Sequence, residues 1–364
     1  MIRINVGYRM EKMTGLMRVS IVLLAWLVVS SWSTGTLVAS EARANNPGRF
    51  LGAKSTVYPD WFKQSFLEFA DDIRTAADND KRVMVLFHQD ACPYCNALVE
   101  RNLSQKRIEE KVRKHFDVIA INMWGDRDVL TVNGTSYTEK SFARALRVQF
   151  TPTLIFFNEQ GKVVLRLNGY LPPDQFETAL DYVSLKKEKQ FDYRDFVKIH
   201  LPPPMQGELI AEDFFLPATH DLFTNSQSKK PAAVFFEQKH CPDCEVMHAT
   251  AMKDPKTREL LKQFNCIQLD MWSDTSFIAP EGVKTTARQW AKELGVHYAP
   301  SIIFFESSGR EIIRVEASFK TFHIQSIFDY VLSDAYKSEP DFQRYISARA
   351  KRIRENGKDV DIWK

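Results

Sequence analysis

A spaced repetition constrains this chain more than any other feature. Cys92 and Cys95 recur as Cys241 and Cys244, 149 residues on. After a one-residue gap the offset becomes 148: Met123-Trp124 returns as Met271-Trp272, Asp126 as Asp274 and Pro152 as Pro300. Ile155-Phe156-Phe157 returns as Ile303-Phe304-Phe305, Gly161 as Gly309, and Asp181-Tyr182-Val183 as Asp329-Tyr330-Val331. So many matches at one offset mean two copies of one unit, each of ordinary domain size. Phe191-Asp192-Tyr193-Arg194-Asp195-Phe196 answers Pro340-Asp341-Phe342-Gln343-Arg344-Tyr345, which predicts a docked terminal helix in each copy. The prolines at 202–204 break helix continuity between them. The expected division is a first domain at 45–200, a Pro-rich linker at 201–208 and a second domain at 209–364.

Within the first copy, helix and strand patterns alternate. Trp61, Phe62, Phe66, Phe69, Ala70 and Ile73 have the spacing of an amphipathic helix. A strand at Val83–Phe87 leads into the first dithiol, and a second strand runs through Val118–Ile121. Val129 to Tyr137 reads as a hairpin turning at Asn133-Gly134, a pair that accepts positive φ. A short helix over 141–148, an antiparallel pair at 153–157 and 163–167, and a helix over 173–185 complete the unit. The expected class is α/β, with a mixed central sheet flanked by helices in each of two tandem domains.

The chemistry is carried by Cys92-Pro93-Tyr94-Cys95, on a strand-to-helix turn. At a helix N-terminus the unpaired N–H groups and the positive end of the dipole favour a Cys92 thiolate, the attacking species in disulfide exchange. Cys95, one turn on, is placed to resolve a mixed disulfide, and Pro93 suits the first helical position. Three other readings compete. The second pair, Cys241-Pro242-Asp243-Cys244, is too distant for an ordinary zinc ribbon. Asn96 and Glu245 stand where haem attachment needs His. An inert structural disulfide is the third.

Residues 1–44 read as a targeting segment. Arg3, Arg9, Lys12 and Arg18 precede an apolar run over 19–29, short for a membrane span, and small residues follow at Val38-Ala39-Ser40 and Ala42-Arg43-Ala44. An uncleaved signal anchor is the alternative, and translation starting at Met10, Met13 or Met17 would shorten the leader. No later stretch is long and apolar enough to span a bilayer. The expectation is an exported, periplasmic protein, where disulfides persist. The net charge of +3 points to no nucleic-acid partner. The basic run Arg349-Ala350-Lys351-Arg352-Ile353-Arg354 alternates with apolar residues and reads as a solvated helix face.

These residues resemble the thioredoxin superfamily, over nearly the whole chain beyond the leader and in two copies. The dithiol, Thr151-Pro152 before a strand and the Gly161 turn carry that likeness. Trp124 with Asp126, the Asn133-Gly134 hairpin, Thr151–Phe157, Arg166 with Gly169-Tyr170, and Tyr182-Val183 are similar to SoxW-type periplasmic thioredoxins. The resemblance implies that Pro152 and Pro300 are cis and face the dithiol of their own domain. It also implies that Thr151 and Ala299 offer backbone to an extended substrate peptide. Two departures stand out. Ala91 and His240 occupy the place where many thioredoxins have Trp, and Leu86 and Phe235 that of a buried acid. Proton handling then falls to water or another group, His88 being within reach by sequence.

The two copies are not equivalent. Asp243 inside the second motif, Glu245 after it and Glu237 in place of His88 put negative charge near Cys241, which slows thiolate attack. His240 offsets this if protonated. Cys266 replaces Val118 and reads as a buried free thiol. The expected function is thiol:disulfide exchange with protein disulfide substrates through Cys92 and Cys95, in the reducing direction, with Cys241 and Cys244 slower or auxiliary. No metal or organic cofactor is expected. The expected partner is a membrane electron donor of the disulfide-reductase type. A client-holding, chaperone-like module with structural disulfides is the alternative, and isomerase activity a third reading.

Overall fold

The computed structural model describes residues 46–201, 207–217, 221–222, 230–317 and 319–364. The expected leader and the prolines at 202–204 lie outside the described residues.

The first copy is a four-stranded sheet in the order β3-β2-β6-β7, with β2 (Arg82–His88), β3 (Phe116–Asn122), β6 (Thr153–Phe157) and β7 (Val163–Asn168). β2 pairs parallel with β3 and antiparallel with β6, which pairs antiparallel with β7. The β2 run is apolar on both faces because both are covered. Met84, Leu86, Val118, Leu154 and Phe156 pack on one side, and Val83, Val85, Phe87, Ile119 and Ile155 on the other. The helices are α1 (Phe69–Asp78), α2 (Pro93–Ala97, continued by a π-type turn over Leu98–Leu103), α3 (Lys106–His115), α4 (Glu139–Ala145), α5 (Pro173–Ser184) and α6 (Tyr193–His200). The expected hairpin is β4 (Asp128–Leu130) with β5 (Ser136–Thr138), and Gly134 has φ +79°.

The second copy repeats the plan in the order β13-β12-β8-β9, from β8 (Ala232–Glu237), β9 (Asn265–Asp270), β12 (Ser301–Phe305) and β13 (Glu311–Val315). Its hairpin is β10 (Ser276–Ile278) with β11 (Lys284–Thr286). Its helices are α7 (Pro242–Ala249), α8 (Pro255–Leu261), α9 (Ala287–Glu293), α10 (Thr321–Leu332) and α11 (Phe342–Glu355). Among the described residues no helix is long and apolar enough to cross a membrane.

The halves meet about an approximate two-fold axis. Asn168 Nδ2 donates to Glu316 Oε2 at 2.5 Å, and a Cβ on Gly169 would lie 3.0 Å from that of Ala317. Both pairs are repeat counterparts, 148 residues apart, and equivalent residues meet in this way only where a two-fold axis passes. One apolar cluster runs across the boundary, joining Cys92, Tyr94, Cys95 and Phe150 to Phe235, Phe304, Phe328 and Phe342. The chain ends are tied as well. β1 (Phe50–Leu51) pairs parallel with β14 (Val360–Asp361), and Arg49 grips Asp359 through Nε (3.0 Å) and Nη2 (2.7 Å). Gly48 is needed there, because a Cβ would sit 1.9 Å from the Lys358 carbonyl oxygen.

Two expectations are corrected. The helix expected over 61–73 begins only at Phe69, because Leu67 takes φ +63° and its N–H turns back to Ser65 Oγ (2.7 Å). Phe62 is buried, but Phe66 is 95% exposed, so the apolar spacing there was not a helix face. The basic run is not wholly a solvated face. Arg349 is buried, with Nε on Asp329 Oδ2 (2.8 Å), and Arg354 Nε reaches the Gly48 carbonyl (2.8 Å).

Candidate functional site

The register sets the first dithiol beside the proline loop. Phe87, near the end of β2, is opposite Thr153, the first residue of β6. The chain leaving β2 turns through Ala91 at φ +57°, and Cys92 becomes the N-cap of α2 with Pro93 at its start. Cys92 and Cys95 form a disulfide with Cα atoms 5.3 Å apart, and the Cys95 N–H points at Cys92 Sγ at 3.0 Å. An amide aimed at that sulfur is what a thiolate there would need.

Both Thr151-Pro152 and Ala299-Pro300 are cis, in agreement with the implied geometry. Thr151 lies on Cys92, its Oγ1 at 3.3 Å and its carbonyl oxygen at 3.6 Å from Sγ. Cys92 is 3% exposed and Cys95 fully buried. The His88 ring lies against Tyr58 with centroids 4.6 Å apart, and burial lowers its pKa.

The second site repeats this frame. Cys241 caps α7 and forms a disulfide with Cys244, Cα atoms 5.1 Å apart, and the Cys244 N–H points at Cys241 Sγ at 3.1 Å. Cys241 packs in one cluster with Ala299. Asp243 and Glu245 lie in the first turn of α7, and burial raises the Asp243 pKa. Glu237 is buried, and its carboxylate accepts from His248 Nε2 (2.8 Å) and Gln268 Nε2 (2.8 Å). Burial would lower the His248 pKa, but its bonds to Glu237 and Glu212 outweigh that and raise it. The charge expected of Glu237 near Cys241 is thus matched by a histidine.

Sequence reading missed what covers the first dithiol. Tyr94 reaches across to the second half, its ring against Phe319 (5.4 Å), His323 (5.1 Å) and Trp363 (5.0 Å), and its hydroxyl accepts from Lys320 N (2.9 Å). Burial holds His323 down to about 4, so it is neutral. Gln89 is the hub of the other wall. Its Oε1 accepts from Trp124 Nε1 (2.9 Å), and its Nε2 donates to Thr151 Oγ1 (3.1 Å) and Gln343 Oε1 (2.8 Å). Gln343 Nε2 in turn donates to the Gln149 carbonyl (2.9 Å). One signal was present, since Gln89 recurs as Gln238, which accepts from Trp272 Nε1 (2.9 Å).

Cys266, on β9, is a free buried thiol whose pKa burial pushes up to about 12. Among the described residues no cluster of His, Cys, Asp and Glu could hold a metal ion.

Comparison with known proteins adds the family. A thioredoxin-fold protein from Helicobacter pylori is similar at 23% identity and TM-score 0.30, over 37% of this chain and 92% of that one. A thioredoxin from Thermus thermophilus matches at 23% and 0.27, over 38% and 89%. The C-terminal domain of DsbD from Neisseria meningitidis, reduced form, matches at 16% and 0.24, over 30% and 90%. No curated protein matches the sequence. The family model described as a thioredoxin-like domain matches twice, at residues 69–184 and 219–332, which is more than half of the chain. With two such matches on two copies of one fold, each with a CxxC pair at a helix start, the chain belongs to the thioredoxin-like domain family.

Proposed function

We propose that the protein is an exported thiol:disulfide oxidoreductase working through Cys92 and Cys95. Reduced Cys92 attacks a substrate disulfide and forms a mixed disulfide; Cys95 attacks Cys92 Sγ, releases the substrate dithiol and leaves the oxidised pair. The observation that carries this reading is the surroundings of Cys92 Sγ, with the Cys95 amide 3.0 Å away and Thr151, next to a cis-proline, in contact. The working direction is reduction, with a membrane donor of the disulfide-reductase type recharging the pair and protein disulfides as substrates. SoxW-type thioredoxins are the subfamily it resembles, and the periplasm its compartment. Thr151 with Pro152, and Ala299 with Pro300, position substrate, and Cys241 and Cys244 form the slower pair. The functional units are 45–200 and 209–364, joined by 201–208. The client-holding alternative needs free apolar surface around Pro152 and Pro300, and both prolines are buried.

The test is a trap. Full-length Cys95→Ala protein, incubated with a disulfide-bonded substrate, should accumulate a mixed disulfide through Cys92 that dithiothreitol dissolves. No adduct at Cys92 would sink the enzymatic reading.

A further inference from the structure

Cys92 does not face open solvent. It lines a chamber of about 200 Å³ whose opposite wall comes from the second half and the chain end. Phe319, Phe322, Ile346 and Ile362 form that wall, facing Cys92 and Tyr94. Cavities of about 150 Å³ hold a benzene-sized guest, while drug-sized ligands occupy about 300–1,000 Å³. The chamber therefore suits a guest of some half-dozen to a dozen heavy atoms. Among the described residues of its lining Asp90 is the only charged one and none is Lys or Arg, and His323 there is neutral. An anionic guest finds no partner for its charge, and burying an unpaired carboxylate is costly.

The segment beside Thr151 is already engaged by the second half. The Gln149 carbonyl is taken by Gln343 Nε2 at 2.9 Å, the Gln149 side-chain oxygen by the Phe342 N–H at 3.0 Å, and Thr151 Oγ1 by Gln89. The first turn of α11 thus lies against Gln149 and, through Gln89, beside Thr151, where it crowds a substrate strand.

We infer that in this clasped form Cys92 is the nucleophile of a small-molecule site, whose substrate class is small, neutral, largely apolar disulfides and the thiols they yield. The inference rests on the exchange chemistry proposed above and narrows its substrate. Cys92 thiolate attacks R–S–S–R, forming Cys92–S–S–R and releasing one RS⁻. Cys95 thiolate then attacks Cys92 Sγ, releasing the second RS⁻ and leaving the Cys92–Cys95 disulfide. Two electrons pass from the dithiol to the substrate, and an external dithiol such as dithiothreitol returns them. Protein disulfides reach Cys92 only when α11 leaves the Gln149–Thr151 edge.

The test uses the full chain, reduced with dithiothreitol and freed of it. It is mixed with bis(2-hydroxyethyl) disulfide, oxidised glutathione or insulin, quenched by alkylation, and the Cys92–Cys95 peptide is followed by mass spectrometry. The small neutral disulfide should oxidise the pair at least ten times faster than either of the others. Ser347→Trp, an exposed position on α11 at the chamber lining, should slow the small disulfide at least ten-fold with no change in thermal midpoint. Insulin or oxidised glutathione reacting as fast as the small disulfide, or a Ser347→Trp chain reacting at the parent rate, would overturn the inference while leaving the exchange reading intact. If none of the three oxidises the pair, the exchange reading itself fails and this inference with it.

Discussion

Phe342→Ala tests how the halves are held together. The Phe342 ring is fully buried, with centroids 5.5 Å from Phe150 in the first half and 5.3 Å from Tyr330 in the second. Truncating a buried Phe to Ala costs about 3–5 kcal/mol, from lost burial plus the cavity left behind. An aromatic pair adds about 0.5–1.5 kcal/mol beyond its area. We expect a loss of about 4 kcal/mol in urea unfolding of the oxidised protein, a large part of a typical total of about 5–15 kcal/mol. Phe342→Leu, which keeps most of the volume, should lose less than half as much. The backbone bond from Phe342 N to Gln149 survives both changes, so the ring is what is measured. A cycle with Phe150→Ala separates docking from ordinary core loss, and the coupling should be at least about 0.5 kcal/mol. A loss below about 1 kcal/mol, or strict additivity of the two truncations, would refute the view that this ring pair joins the halves.

Three further outcomes are expected. Stability should fall on both sides of neutrality. His323, held at about 4 in the native chain, takes up its proton near 6.5 only when unfolded, so stability is lost by up to about 1.4 kcal/mol per unit as pH drops from 6.5 towards 4. His248, raised above 6.5, contributes fully below that pH and loses its contribution as pH rises through its native value, so urea midpoints for His323→Phe and His248→Gln should flatten the acid and alkaline limbs respectively. Cys266, buried with its pKa near 12, should stay unalkylated in the native chain by mass spectrometry, and Cys266→Val should change stability by less than about 1 kcal/mol. In the reduced protein, Asp243→Asn should speed iodoacetamide alkylation of Cys241 only a few-fold, since it removes one of the two acidic residues in the first turn of α7; a fifty-fold rise would make charge the main brake.

The sheets were legible because their strands are apolar on both faces, and a period recurring at fixed offset leaves little choice of topology. The dithiol turn was legible because Cys-Pro-x-Cys after such a strand carries its own helix start. The region at 61–66 misled because its aromatics do mark burial, at Phe62, but on a loop that Ser65 and the positive-φ Leu67 turn away from helix. The cover over Cys92 was invisible for a different reason. Gln343, Phe319 and His323 are ordinary residues locally, and only the pairing of one half with the other brings them to Tyr94 and Gln89. Arg349 and Arg354 were misread likewise, since their partners Asp329 and Gly48 are set by tertiary packing.

That pairing also changes why the two dithiols differ. The approximate two-fold axis puts α6 over the second site as α11 lies over the first, and Arg194 stands in the place of Gln343. Its fully buried guanidinium donates to the carbonyls of Val296 (3.1 Å) and Met271 and lies 4.4 Å over the Trp272 ring. The corresponding space, lined by Tyr193, Val197, Gln238, Trp272 and Ala299, is only about 60 Å³. That volume admits a water or two and no benzene-sized guest. The sequence argument for a slower second pair rested on acidic residues, yet one of them, Glu237, is matched by His248. The larger Arg194 on the covering helix thus goes with a smaller counterpart of the Cys92 chamber, while a separate space of about 200 Å³ is lined by Asp243 and Ala299, so the two dithiols differ in which side of the cis-proline loop is open.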